Sequence, residues 1–497
     1  MFRHTNTTKQ KTFIINLFIY SLLILIAVTM KGQNNFDSVV ENFKKDKDLQ
    51  YASYGFCVLD AQTGKIIKEL NSETALIPAS TLKIITTSAA LGTLGTNYTY
   101  KTSFFYITEK DSASNAVKKH LLIKGSGDPS FNSSYFYNND SIFLTPILTQ
   151  FKLKGVQNIN GKVITDVSIF DNSIPSHWIW GDIGNYFGAG ANGLSYRDNK
   201  FSLFFRSGAN NTPAYLESIS PAYFSQKISV TSNVKAGGTD DNAYVFGDPT
   251  SYLRYVNGTI PPQKTHYEIE AAMPESGLFF SNQLLIEFKK QNMATINSKA
   301  AMTDAPFPLH QTTSELIHTH TSPKLEKIVY YTNVKSNNHY AESLLKTLGA
   351  IKSGKQGTTE NGIRAVEDYW KERGVDIASM HMADGSGLSR ANTITTKTQA
   401  TILSKIYRDK QIYEAFNASL PIAGKNGSMQ NLCKGTFAEN NLRSKTGYIN
   451  RVRGYCGYVK TKKGTELAFS ILVNNYSCSP SEMKLKIERF LSALVDL

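Results

Sequence analysis

The spacing of apolar residues changes repeatedly along this chain, and each change predicts a different element. Residues 55–59 and 65–70 are apolar, β-prone runs parted by Asp60-Ala-Gln-Thr-Gly64, a hairpin signature. Beyond Pro78 the period lengthens. Leu82, Ile85 and Ala89 recur at helical spacing, which predicts a buried helix opened by Pro78, closed by Gly92 and carrying Ser80 in its first turn. From about Tyr98 to about Pro308 short β-like runs alternate with Gly, Asn and Ser turns, with no long amphipathic helix before residues 281–291. This texture predicts an inserted, mostly-β region. Helical spacing returns at residues 324–332 and 340–348, where Ala341, Leu344, Leu345 and Leu348 share a face and leave Ser336 in the connection. Residues 442–449, 453–459 and 466–473 then read as three strands, and Ser479-Pro480 caps a last helix with Ile487, Phe490, Leu491 and Leu494 on its core face.

Two strands at the start, three at the end and helices between them predict an α+β fold. One antiparallel sheet flanked by helices is assembled from both ends of the chain and interrupted by the insert. At 497 residues the chain exceeds the size at which one hydrophobic core stops growing, so two or three domains are expected. The division places the first part of the sheet domain at 33–97, the insert, with room for two subdomains, at 98–308, and the second part at 309–497. A hydrophobic share of 41%, a charged share of 19% and an aromatic share of 11% exclude a disordered chain.

At the N-terminus, Arg3, Lys9 and Lys11 precede an apolar run over residues 13–30, and Lys31-Gly32-Gln33 opens a polar stretch. Residues 1–32 therefore read as a secretory signal peptide. The run is long for a signal core and Asn16 interrupts it, so an uncleaved membrane anchor is the alternative. No cysteine lies near its end, and a lipoprotein is not expected. The formal charge of +14 falls to about +10 once the four cations of this segment are removed. On an exported protein that excess suits an anionic wall or membrane surface, or simply dispersed solvated lysines; nucleic acid is not an expected partner. Cys57, Cys433, Cys456 and Cys478 allow three disulfide pairings in an oxidising compartment, while Cys57 and Cys456, within strand-like runs, equally suit buried free thiols. No cysteine pair has metal-ligand spacing and the His318/His320 pair reads as surface, so neither a metal nor another cofactor is expected.

The candidate chemistry lies in three motifs in order: Ser80-Thr-Leu-Lys83, Ser336-Asn-Asn338 and Lys445-Thr-Gly447. A serine hydroxyl is a poor nucleophile until a nearby base takes its proton. The spacing of three puts the Ser80 hydroxyl and the Lys83 amine on one helix face, and burial together with a second cation, Lys445, would lower the amine's pKa enough for it to act as that base. Ser232-Asn-Val-Lys235 and Ser481-Glu-Met-Lys484 fit the same pattern, but only Ser80 follows a proline at the start of a strongly apolar helix. Ser336 can pass a proton to a leaving amine, and Asn338 offers both donor and acceptor to a peptide backbone. Ser-x-Asn is also an ordinary capping turn, as Ser130-Phe-Asn132 illustrates. In a strand, Lys445 and Gly447 point to the same side, so the ammonium can meet a substrate carboxylate while the glycine lets a substrate backbone approach. Order, spacing and element type together point to acyl transfer.

Beside these motifs stand Gly125-Ser-Gly-Asp-Pro129, Asp166-Val-Ser-Ile-Phe170, Asp384-Gly-Ser-Gly-Leu-Ser-Arg390, Ser419-Leu-Pro-Ile-Ala-Gly424, Gly427 and Ser444-Lys-Thr-Gly447. With them the sequence resembles the penicillin-binding proteins, specifically the D-alanyl-D-alanine carboxypeptidase/endopeptidase family of the penicillin-binding protein 4 type (peptidase family S13), over nearly the whole mature chain. The resemblance implies a transpeptidase-like domain with a large two-part insert after the nucleophile helix. It implies a periplasmic enzyme acting on peptidoglycan peptides, with β-lactam antibiotics as covalent inhibitors. It also implies roles: Ser80 forms the acyl-enzyme, Lys83 is its base, Ser336 and Asn338 assist proton transfer and substrate binding, and Lys445 holds the terminal carboxylate within Lys445-Thr446-Gly447. The backbone N–H groups of Ser80 and Tyr448 would form the oxyanion hole. One departure is Asn337, where relatives often carry Asp. Asp166 could pair with the free amine of a stem-peptide diamino acid, against the reading of an ordinary turn residue.

Two other readings compete. A β-lactamase or esterase shares the Ser/Lys logic but deacylates β-lactam quickly, and the long insert argues against it. A non-catalytic wall-binding protein would keep the fold without turnover, yet no catalytic position is missing.

Overall fold

Every residue of Glu466–Asn474 after the first is buried, as in a strand covered on both faces. It is the central strand of a five-stranded antiparallel sheet ordered Arg443–Ile449, Val452–Lys460, Glu466–Asn474, Ser53–Asp60, Ile66–Leu70. The computed structural model describes residues 36–497 apart from 111–115, 157, 294, 296–297 and 310–311. The expected signal peptide and its membrane-anchor alternative lie outside the described residues, among which no helix is long and apolar enough to cross a membrane. Ser53 pairs with Asn474 and Asp60 with Leu467, so both ends of the chain build the sheet.

Side-chain alternation divides the core into two layers. Leu467, Phe469, Ile471 and Val473 face the terminal helices Phe36–Lys44 and Pro480–Ala493, packing with Phe36, Ile487 and Phe490. Ala468 and Leu472 face the opposite layer with Leu82, Ile85 and Leu344. Helix Lys83–Leu94 lies in that second layer, and every residue from Lys83 to Leu91 is buried, the hydroxyls of Thr86, Thr87 and Ser88 each donating to a backbone carbonyl. Ser80 sits just ahead of it in a tighter 3-10 turn, Ala79–Leu82. Gly92 does not close this helix; the chain turns at Gly95, with φ +81°. A Cβ at Gly92 would lie 1.9 Å from the Tyr369 hydroxyl, so this glycine admits the neighbouring helix Thr359–Glu372. Helices Leu325–Val334 and Asn338–Ser353 flank it, joined through Ser336, and Asn337 caps the second by accepting from the Tyr340 N–H at 3.1 Å.

In the inserted region strands outweigh helices, as its turn-laden sequence predicts, but it holds one more long helix than expected. Its larger part is a mixed sheet ordered Lys299–Thr303, Lys162–Asp166, Val117–Lys124, Lys101–Lys110, Thr313–Thr321. Helices Asp140–Leu153 and Ser276–Lys290 pack on it through Phe143, Ile147, Phe151, Phe280 and Leu284. The first of these escapes a sequence reading because Pro146 lies inside it and asparagines crowd its start. Strand Thr313–Thr321 pairs with Lys101–Lys110, carrying this sheet beyond the expected boundary at 308. The smaller part holds two three-stranded sheets, Tyr267–Ala272 with Lys200–Arg206 and Tyr215–Ser220, and Tyr244–Phe246 with Leu253–Ile260 and Ser229–Ala236.

His318 and His320 are half-buried rather than surface residues. The His320 ring lies 5.2 Å from Phe131 and 5.1 Å from Phe143, and burial pushes its pKa down to about 4. All four cysteines are free thiols.

Phe490 joins the chain's two ends, its ring 5.2 Å from Phe36 and 5.0 Å from Phe56. Phe490→Ala should therefore lower unfolding stability by about 3–5 kcal/mol. A urea midpoint unchanged from the parent would show that this contact is not a major tie.

Candidate active site

Three segments distant in sequence meet where the Ala79–Leu82 turn lies against the edge strand Arg443–Ile449. A Cβ on Gly447 would come within 2.5 Å of the Pro78 carbonyl oxygen and 3.0 Å of the Thr81 nitrogen. This glycine thus lets the strand reach the turn, a closeness the sequence reading assigned to an approaching substrate. The Lys83 ammonium is ringed by neutral oxygens: Nζ lies 3.1 Å from Ser80 Oγ, 2.6 Å from Asn338 Oδ1 and 2.7 Å from the Ser386 carbonyl oxygen. Lys445 Nζ donates to Ser336 Oγ at 2.9 Å and to the Thr446 carbonyl oxygen at 2.8 Å. The structure therefore brings Ser80, Lys83, Ser336, Asn338 and Lys445 together. The two competing Ser-x-x-Lys matches lie elsewhere, with Ser232 and Ser481 both exposed.

Burial of the Lys83 ammonium pushes its pKa down to about 7, although the charges of Asp384 and Glu342 pull it back up. The neighbouring cation contributes less than expected from sequence. Repulsion between the two lysines falls on Lys445, held well below its ordinary value first by burial and then by Lys83. A neutral Lys83 can accept the Ser80 proton along the same 3.1 Å contact.

Two buried carboxyl groups, Asp384 and Glu342, to neither of which the sequence assigned a role, shape the floor. Asp384 accepts from the Gly387 N–H at 2.7 Å, the Ser389 N–H at 2.6 Å, Asn392 Nδ2 at 2.9 Å and Trp178 Nε1 at 2.8 Å. Glu342 accepts from the Gly385 N–H at 3.0 Å, and burial, then the Asp384 charge, hold its carboxyl above the usual range. Together they fix the 384–390 loop so that the Ser386 carbonyl meets Lys83. Glu342 lies four residues after Asn338 on the same helix face, and that spacing was the signal available in the sequence. Gly387 must be glycine: its φ is +81°, and a Cβ would lie 1.9 Å from the Ala79 carbonyl oxygen. Ala79, just before Ser80, has φ 47°, and Ser336 has φ 55°. Such left-handed residues cost about 1–3 kcal/mol each and cluster at working sites.

The serine opens into a cleft of about 840 Å³ walled on one side by Ser336, Asn338 and Tyr448 and on the other by the insert, through Asp182, Tyr186 and Phe187. Asn338 Nδ2 donates to the Phe187 carbonyl oxygen at 2.8 Å, joining the two walls. Thr446 Oγ1 donates to Ser428 Oγ at 2.7 Å, and the exposed Tyr448 ring lies 4.5 Å under the Arg453 guanidinium. Asp166 is not brought to the cleft. It is 3% exposed, and its carboxylate accepts from the backbone N–H groups of Ser168 at 2.9 Å and Phe307 at 3.1 Å, as a turn residue does. Asp182 is a half-buried acid that does line the cleft, its pKa raised by burial against the pull of Arg390; the other cleft acids, Glu270 and Asp198, are engaged by Lys200 and Ser134.

Gly387→Ala should displace the loop beneath Ser80, lowering stability by about 2–4 kcal/mol and slowing labelling of Ser80 by an acylating probe. Parental melting temperature and parental labelling rate would together refute the close approach.

The chain is similar to known proteins over most of its length. The chain is 27% identical over 465 residues to a D-alanyl-D-alanine carboxypeptidase of Actinomadura sp. (strain R39), covering 90% of this chain and 81% of that protein. It is 24% identical over 450 residues to the D-alanyl-D-alanine carboxypeptidase DacB of Haemophilus influenzae, covering 88% of each. The crystal structure of penicillin binding protein 4 from Haemophilus influenzae has the same fold, with a TM-score of 0.75 over 93% of this chain and 98% of that one at 22% identity. Residues 36–494, which include all three motifs of the site and the whole insert, match the D-Ala-D-Ala carboxypeptidase 3 (S13) family, and the chain belongs to that family.

Proposed function

We propose that this protein is an exported, periplasmic serine DD-peptidase that cleaves D-alanyl peptide bonds in peptidoglycan stem peptides through an acyl-enzyme on Ser80. The observation that carries the reading is the part-buried 3.1 Å contact between Lys83 Nζ and Ser80 Oγ, with burial of the lysine pushing its pKa down to about 7. Membership of the family and the carboxypeptidase names of the relatives support it, and the cationic, apolar N-terminal segment supports export.

Neutral Lys83 takes the Ser80 proton as Oγ attacks the carbonyl carbon of the penultimate D-alanine. Negative charge then develops on the carbonyl oxygen, where the backbone N–H groups of Ser80 and Tyr448 would stabilise it. As the C–N bond breaks, the proton taken up by Lys83 passes to the leaving amine by way of the Ser336 hydroxyl, which returns Lys83 to its neutral form, while Lys445 stays charged and donates to Ser336. The Lys445 ammonium holds the terminal carboxylate, and the Lys445-Thr-Gly447 edge strand offers backbone groups to the peptide. Water then attacks the ester carbon and gives a proton to the neutral Lys83, which passes it to Ser80 Oγ as the C–O bond breaks and the acyl group leaves as a carboxylic acid. A β-lactam would form the same ester, with its ring nitrogen as the tethered leaving group. When free D-alanine leaves, the reaction is a carboxypeptidase step; when a cross-linked side chain leaves, it is an endopeptidase step. The amine-pairing role expected of Asp166 passes to Asp182, the cleft acid that neither Lys200 nor Ser134 engages.

Ser80→Ala should abolish both D-alanine release from a pentapeptide and covalent labelling by fluorescent penicillin; persistent labelling would reject the nucleophile. Because Lys83 must be neutral to act, the acylation rate of the parent should rise with pH and reach half its plateau near pH 7, and a rate flat from pH 5 to 9 would remove Lys83 as the base. The penicillin adduct should be stable over hours, whereas rapid release would favour the β-lactamase reading.

A further inference from the structure

Beyond the cleft, the smaller part of the insert presents a sheet with two unlike faces. Inward, Val245, Val256 and Arg254 are buried. Outward, Tyr244, Phe246 and Tyr255 share one side, because residues two apart on a strand and residues paired across the ladder, here Phe246 with Tyr255, lie on the same face. The neighbouring strand Ser229–Ala236 adds the hydroxyl of Thr231 opposite Tyr255 and the amide of Asn233 opposite Asn257. Trp180 extends the row: it is 58% exposed, with its ring 6.5 Å from Phe246, which in turn lies 6.0 Å from the 41% exposed Tyr255.

Tyrosine and threonine are common on solvated strands, and singly they need no explanation. A continuous row of partly exposed rings that includes a tryptophan is a different feature, and it continues into the cleft, whose lining includes Tyr244. Rings interleaved with amides and hydroxyls, with a charge on the strand face only at Lys235, fit a neutral ligand that has both apolar C–H faces and many hydrogen-bonding groups. Those are the properties of a sugar chain. An anionic membrane surface or a nucleic-acid strand would call for a band of cations beside the rings. A stem peptide is covalently attached to an N-acetylated amino sugar through the lactyl carboxyl, which leaves that sugar uncharged. A peptide lying in the cleft must therefore deliver its sugar to the rim.

We propose that the Trp180–Phe246–Tyr255 face binds the glycan strand from which the stem peptide hangs, an assignment that rests on the peptidase reading above. The test compares the parent with Trp180→Ala and Tyr255→Ser, both outside the cleft lining, on a sugar-free pentapeptide and on uncross-linked polymeric peptidoglycan bearing that peptide. Both variants should keep the parental kcat/KM on the free peptide, which also shows that they fold. On the polymer their KM should rise roughly fivefold, equivalent to about 1 kcal/mol. Co-sedimentation with peptide-stripped glycan strands should weaken in parallel. Equal loss on both substrates, no loss on either, or undiminished sedimentation of the variants would overturn the assignment, as would parental binding to lipid vesicles in place of glycan. If the parent fails to turn over the free pentapeptide, the peptidase reading fails instead, and stripped-glycan sedimentation still decides whether the face binds sugar.

Discussion

Lys83 is buried among a hydroxyl, a side-chain amide and a carbonyl, and much of the surrounding structure exists to hold it there. Moving its pKa from 10.5 to about 7 corresponds to about 5 kcal/mol against the charged form. A full salt bridge would cancel that penalty and with it the basicity available at neutral pH. The two nearby acids are instead kept off the amine: Asp384 is spent on backbone and side-chain donors of its own loop, and Glu342 on the Gly385 N–H. They lend Lys83 field without proton-sharing contact, and they aim the Ser386 carbonyl at it.

That arrangement requires close approach of backbone to backbone. Gly387 meets the Ala79 carbonyl, and Gly447 meets the Pro78 carbonyl, so the turn bearing Ser80 is clamped between a loop and an edge strand. The left-handed φ angles at Ala79 and Ser336 are the conformational cost of the clamp. Such strain persists only where surrounding packing over-determines the conformation, and here a wholly buried helix follows immediately.

The insert is part of the same machinery rather than an appended module. Trp178 donates to Asp384, the Phe187 carbonyl accepts from Asn338, and the Tyr340 hydroxyl donates to Ser133 Oγ at 2.6 Å. A further tie is the ion pair between Lys346 and Asp171 at 2.7 Å. These bonds end on the helix and loop that hold the site, so the second wall of the cleft is tied to the groups facing it. The insert wall and the position of Asn338 are thereby tied together.

The elements set by local periodicity were legible in the chain: the five strands of the central sheet, the buried helix after Pro78, the capped terminal helix and the order of the three motifs. Each depends on spacing of 2 or 3.6 residues or on a short turn, which any single sequence displays. Helix Asp140–Leu153 was not legible, because Pro146 masks its period, and Gly92 was misread as a helix end because only the packed Tyr369 shows what the missing side chain is for. Asp166 and Asp182 look alike as residues; the fold gave one to a backbone turn and the other to the cleft. The sequence by itself determined which chemical groups exist and which local elements carry them. Only the tertiary structure decided which of those groups share one pocket, because burial, and therefore the base strength of Lys83, is set by segments hundreds of residues away.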